Sequence, residues 1–148
     1  METYHYKECG LDNIYLINGV VEIETEEGKI VSFPKAKELH RQIGLDIVKS
    51  QSKLSGKEIR FLRVQMELAQ KRLGHMIAVE GQTVARWEKE ECPITGPAER
   101  LLRAIYRSYI HEQKDILEMC EHFAELDEME SASRREFAMT DNEWHVAA

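Results

Sequence analysis

The chain has 148 residues, 43% of them hydrophobic, which bounds it to one or two small globular domains. No apolar run approaches the ~18 residues of a membrane span, and the first ten residues lack a basic-then-apolar signal pattern, so a cytoplasmic protein is expected. The three cysteines, Cys9, Cys92 and Cys120, form no C-x-x-C pair, and the formal charge is −7, so neither a disulfide framework nor a uniformly basic nucleic-acid binder is indicated.

Residues 1–52 read as a small β-rich unit followed by a helix. Ile14-Tyr15-Leu16-Ile17 is an apolar run, and Asn18-Gly19 after it is a hairpin signal. Residues 20–25 alternate as a second strand, Glu27-Gly28 turns again, and residues 29–33 form a third strand that Pro34 ends. Leu39, Ile43 and Ile47 then mark a helix over about 35–49, and Gln51-Ser52-Lys53 is a short polar linker.

Residues 53–110 read as all-helical. Ser55-Gly56-Lys57-Glu58 is a capping box, in which Ser55 accepts from the Glu58 amide and Glu58 reaches back. Ile59, Leu62 and Met66 form the buried stripe of that helix, flanked by Arg60 and Arg63. From Gln70 to Glu88 two short helices meet at a sharp turn, Ala78 to Gly81. Leu73, Met76 and Ile77 bury one helix, and Val84 and Trp87 bury the other. Gln82 and Arg86, four apart, project side by side from the second helix. Gln pairs bidentately with adenine in the major groove and Arg with guanine. After a loop at residues 92–97, a helix packs through Leu101, Leu102, Ile105, Tyr106 and Tyr109. Arg100, Arg103 and Arg107 form a row on it, either a solvated face or a phosphate contact.

Residues 111–148 read as an acidic extension. Ile116, Leu117, Cys120, Phe123, Ala124 and Leu126 mark an amphipathic helix, residues 131–135 a break, and residues 136–140 and 143–147 a hairpin around Asp141-Asn142. A two-stranded hairpin needs something to pack on, so this segment is expected to supply dimer or partner contacts, the alternative being a ragged tail.

Charge follows the same division. Residues 1–52 hold six basic and nine acidic residues (−3), residues 53–110 eleven and seven (+4), and residues 111–148 three and eleven (−8). Only the middle segment has the local positive charge that phosphate contact requires. His40, His75, His111, His122 and His145 stand in no recognisable catalytic spacing, and no glycine-rich phosphate loop is present, so an enzyme is not expected.

The order of residues from Gln70 to Glu88, with Val84 and Arg86-Trp87-Glu88, resembles the Xre/Cro-type helix-turn-helix domain of phage repressors over about 54–109. Ala69 stands where the family usually has a capping Ser or Thr, Ala78 where it often has the turn Gly, and Glu90 where it usually has Gly. The resemblance implies that Gln82 and Arg86 read bases. Gln70, Lys71, Thr83 and Lys89 position the DNA backbone, and Arg63 pairs with Glu88. The β unit and its junction, from Glu8-Cys9-Gly10 to Leu54-Ser55-Gly56-Lys57, resemble MqsA-like antitoxins of the YgiT-type zinc-finger group. That group's N-terminal unit often binds zinc through two C-x-x-C pairs. Here only His5 and Cys9 stand in that region, too few for a tetrahedral site, so no metal and no cofactor are expected.

The sequence-level expectation is therefore an α+β protein: a small N-terminal β unit with a helix, an all-α helix-turn-helix domain of the Xre type, and an acidic C-terminal extension. The expected function is a transcriptional regulator, a homodimeric repressor on a palindromic double-stranded DNA operator, with a cognate toxin protein as a second candidate partner and no membrane association. A stand-alone ligand-responsive regulator and a protein-interaction module without DNA binding are the alternatives.

Overall fold

The structure is a computed structural model that describes residues 3–50, 53–112, 115–128 and 134–147. The linker residues Gln51 and Ser52 and most of the expected break, residues 131–133, lie outside the described residues. The described chain is mixed α and β, with six helices and three two-stranded antiparallel sheets.

The N-terminal part departs from the expected meander. Strand β1 (Tyr4–His5) pairs with β2 (Tyr15–Leu16), and β3 (Val21–Thr25) pairs with β4 (Gly28–Ser32). Asn18-Gly19 is therefore not a hairpin turn. Gly19 takes φ +88° in a bend that separates β2 from β3. The competing partner is the extreme N-terminus. His5 stacks on Tyr15 with ring centroids 4.4 Å apart, Tyr4 and Tyr6 pack on Phe33, and the Tyr6 amide donates to the Ile14 carbonyl. Aromatic burial at residues 4–6 outweighs the local turn preference of Asn18-Gly19. Between β1 and β2 lies a 3-10 turn, Lys7–Cys9.

Helix α1 (Ala36–Lys49) buries Ile43, Gly44, Ile47 and Val48. Helix α2 (Gly56–Gln65) opens on the capping box. The Ser55 hydroxyl accepts from the Glu58 amide, and Glu58 Oε1 accepts from the Ser55 amide at 2.9 Å. Then come α3 (Gln70–Ile77), α4 (Gly81–Glu88) and α5 (Gly96–Ile110), whose N-cap is Thr95 with Pro97 in the first turn. Helix α6 (Asp115–Asp127) packs on α3 and α5. The last sheet is β5 (Phe137–Thr140) with β6 (Glu143–Val146), joined by Asp141 and Asn142, both at positive φ.

A single core runs from Tyr6 and Leu11 through Ile47, Ile59, Leu62, Leu73, Trp87, Leu102 and Tyr106 to Cys120, and so joins all three sequence segments. Two expectations for α5 are corrected. Tyr109 is exposed rather than packed, although its spacing puts it in line with Leu102, Ile105 and Tyr106; it stands in the last turn of the helix. Arg103 is not part of a surface row with Arg100 and Arg107. Its guanidinium turns inward, donates to the carbonyls of Val48 and Ser50 at the end of α1, and pairs with Glu99 at 2.8 Å. It closes the C-terminus of α1, whose last carbonyls lack helical partners.

His40, on α1, shares a 2.8 Å hydrogen bond with the Tyr6 hydroxyl and fastens the β unit to the helices. Burial holds its pKa below the ordinary imidazole value. A base with a depressed folded pKa binds fewer protons in the native than in the unfolded state over that window, so stability rises with pH across it. The melting temperature should therefore fall as pH drops below about 6.5, and His40→Gln should flatten that part of the profile. An unchanged pH profile in the variant would contradict this assignment.

Candidate nucleic-acid interface

Helices α3 and α4 meet at Ala78-Val79-Glu80. Ala78 closes α3 in the left-handed region at φ +66°, and the Val79 amide donates to the Gly74 carbonyl at 2.8 Å. The turn is tight enough that a Cβ on Gly74 would lie 2.6 Å from the Val79 carbonyl oxygen. That oxygen is backbone and cannot swing away, so only glycine fits at 74. This requirement was not visible in the sequence, where a mid-helix glycine signals only close packing or a helix end. Ala69 and Glu80 cap their helices without side-chain hydrogen bonds.

An alanine in the left-handed region carries about 1–2 kcal/mol of strain that glycine avoids, partly offset by glycine's greater unfolded-state entropy. Ala78→Gly should stabilise the protein by roughly 0.5–1 kcal/mol, visible as a melting point about 2–4 °C higher. A lower melting point would show that the turn is built differently.

Arg63 ties the two helices to α2. Its Nε donates to Glu88 Oε2 at 2.7 Å, its Nη2 to Glu88 Oε1 at 2.8 Å, and its Nη1 to the Leu68 carbonyl at 2.9 Å. The side chains are 13% and 5% exposed, so this is a buried, bidentate pair spanning α2, the loop before α3, and the end of α4. Gln70 Nε2 also reaches Glu88 Oε1, at 3.4 Å, so Gln70 is drawn toward the ion pair at the start of α3. The Gly56 amide donates to Glu90 Oε1, which brings the start of α2 beside the end of α4.

With α4 fixed by Val84, Trp87 and Glu88, its other side is open. Gln82 and Arg86 are exposed, Thr83 is half-buried between them, and Lys89 is exposed just past the helix end. Arg86, Gln82, Lys71 and Lys89 have no hydrogen-bond or ion-pair partner among the described residues. Lys71 and Gln82 line one groove of about 870 Å³ with Arg72, His75, Val79 and Gly81. Of the sequence-predicted residues, Lys71, Gln82, Thr83, Arg86 and Lys89 thus remain available on the α3–α4 side, whereas Gln70, Arg63 and Glu88 form the bracing beneath it.

The acidic extension reaches this surface. Glu121 of α6 pairs with Arg72 at 2.6 Å, and Glu128 lies 4.0 Å from His75 and lines the same groove. Part of the positive charge of α3 is therefore met within the chain. Trp87 is core, 3% exposed, and takes no part in the surface.

His5 and Cys9 are occupied otherwise. His5 Nε2 donates to the Asp12 carbonyl at 2.6 Å, and the Cys9 thiol donates to the Tyr6 carbonyl at 3.1 Å. Among the described residues no three His, Cys, Asp or Glu side chains converge as metal ligands, and no helix is long and apolar enough to cross a membrane. Compared with known proteins, the chain matches no family model, no curated sequence and no solved structure.

Proposed function

We propose that this protein is a sequence-specific DNA-binding regulator of the Xre-like helix-turn-helix kind, acting as a homodimeric repressor on a two-fold symmetric operator. The observation that carries the reading is the outward pairing of Gln82 and Arg86 on α4, a short helix held by a buried ion pair on its other side. Inserted in a major groove, Gln82 would read adenine and Arg86 guanine. Lys71, Lys89 and Thr83 border them and suit contacts to phosphates, which fix register rather than sequence. Gln70, expected from the sequence to touch the DNA backbone, instead supports the set from beneath by steadying the start of α3 against Glu88.

In this reading the protein is not an enzyme. The N-terminal unit follows the antitoxin resemblance without its zinc, and a toxin protein is a further partner to which that resemblance points. A titration of duplex DNA at several salt concentrations tests the proposal. Binding should weaken steeply with salt, as counterions return to the phosphates. Absence of binding at low salt would overturn it.

A further inference from the structure

Strands β5 and β6 form a hairpin whose large apolar residues lie on one side. Phe137 stands opposite Val146, and Met139 opposite Trp144. Cross-strand partners and i, i+2 neighbours share a face, so these four make a two-by-two apolar plate. Ala138, Thr140, Glu143 and His145 take the other side. The hairpin is well specified. Asp141 and Asn142 supply the two positive-φ residues of a type I′ turn, and the Ala147 amide donates to the Glu136 carbonyl at 2.9 Å to extend the pairing. Yet every strand residue is exposed: Phe137 58%, Met139 54%, Trp144 68% and Val146 77%. An isolated two-stranded hairpin is marginal in water, so this one requires a cover.

We propose that the cover is the same face of a second copy, the two plates stacking to form the dimer seam. Two features favour this occupant. The plate carries no charged side chain, so two copies meet without burying or opposing charge. The other uncovered apolar stripe of this segment is Met119, Phe123 and Leu126 on α6, and it is flanked by Glu118, Glu125 and Asp127. Two copies meeting there would bring carboxylates together. Area agrees. On a scale of ~200 Å² for a large apolar side chain, the four residues leave roughly 500 Å² open per copy. Two copies then bury roughly 1,000 Å², the lower bound for a specific interface. A seam of this size implies a dimer that dissociates on dilution.

The inference rests on the proposed function only in supplying the dimer that a symmetric operator needs. Light scattering on the full chain across a concentration series reads it without DNA. The protein should pass from monomer to dimer, and Trp144→Lys should raise the dimer dissociation constant by roughly 30-fold or more, the effect of losing a central aromatic anchor. Trp144→Phe should keep the dimer. The helical melting transition should be the same in all three proteins, since the hairpin lies outside the core. A chain that stays monomeric at every concentration, or a dimer indifferent to Trp144→Lys, overturns the proposal. A hairpin-dependent dimer that ignores DNA would leave this inference standing and sink the regulator. A DNA binder whose dimer ignores Trp144→Lys would do the reverse.

Discussion

Glu88→Ala is expected to destabilise the protein by about 3–5 kcal/mol, the usual result of removing one partner from a buried ion pair. Arg63, 13% exposed in the intact pair, would be left with only the Leu68 carbonyl among its present acceptors. Its charge would be stranded at the junction of α2, α3 and α4. For a domain whose total stability is about 5–15 kcal/mol, that is a large share. Glu88→Gln should do less harm, since an amide oxygen still accepts one of the guanidinium bonds. The contrast within the molecule is Lys57–Asp12, at 2.7 Å but with side chains 59% and 76% exposed. Solvent screens that pair, and Asp12→Asn should leave stability nearly unchanged. Urea unfolding followed by the fluorescence of buried Trp87 separates the cases. Equal effects at Glu88 and Asp12 would show that the Arg63–Glu88 pair does not brace the fold.

Arg86→Ala should leave stability nearly unchanged and weaken operator binding by about 1–3 kcal/mol per half-site. On a symmetric site the loss counts twice, roughly 2–6 kcal/mol in all. It should come with relaxed preference at one base position in each half-site, because the lost contact is to a base edge. Gln82→Ala should act in the same way at a neighbouring position. Lys71→Ala should behave differently, weakening every sequence alike and reducing the salt slope by about one unit. The distinction rests on where the side chains sit. Arg86 and Gln82 leave α4 on its open side, while Lys71 stands across the groove on α3. Uniform weakening by Arg86→Ala, with base preference intact, would remove α4 as the reading helix.

What could be read from the sequence was what local chemistry decides. The capping box at Ser55 and Glu58 needs only residues three apart, and the Asp141-Asn142 turn only two. The stripe of Ile59, Leu62 and Met66 declares itself by period, and all three are buried. Contacts between distant segments were not legible. Arg103 looked like one of three surface arginines because its acceptors, Val48 and Ser50, are more than fifty residues away. Asn18-Gly19 carried a true turn preference, but it lost to the Tyr4–His5 strand and the adjoining Tyr6, and a two-residue strand is too short to show alternation. The same holds within the candidate interface. Spacing set Gln82 and Arg86 side by side. It could not show that Gly74 must be glycine for the turn to close, nor that Glu121 of a remote acidic helix pairs with Arg72.

Selection of bound duplexes from a pool of random double-stranded DNA tests the central claim most directly. A two-fold symmetric sequence should be enriched, its half-sites about one helical turn apart, roughly 34 Å, with a conserved guanine and a neighbouring adenine in each half. The Arg86→Ala protein should lose the guanine preference. A pool that emerges as random as it entered, from protein shown by its melting curve to be folded, would contradict the account.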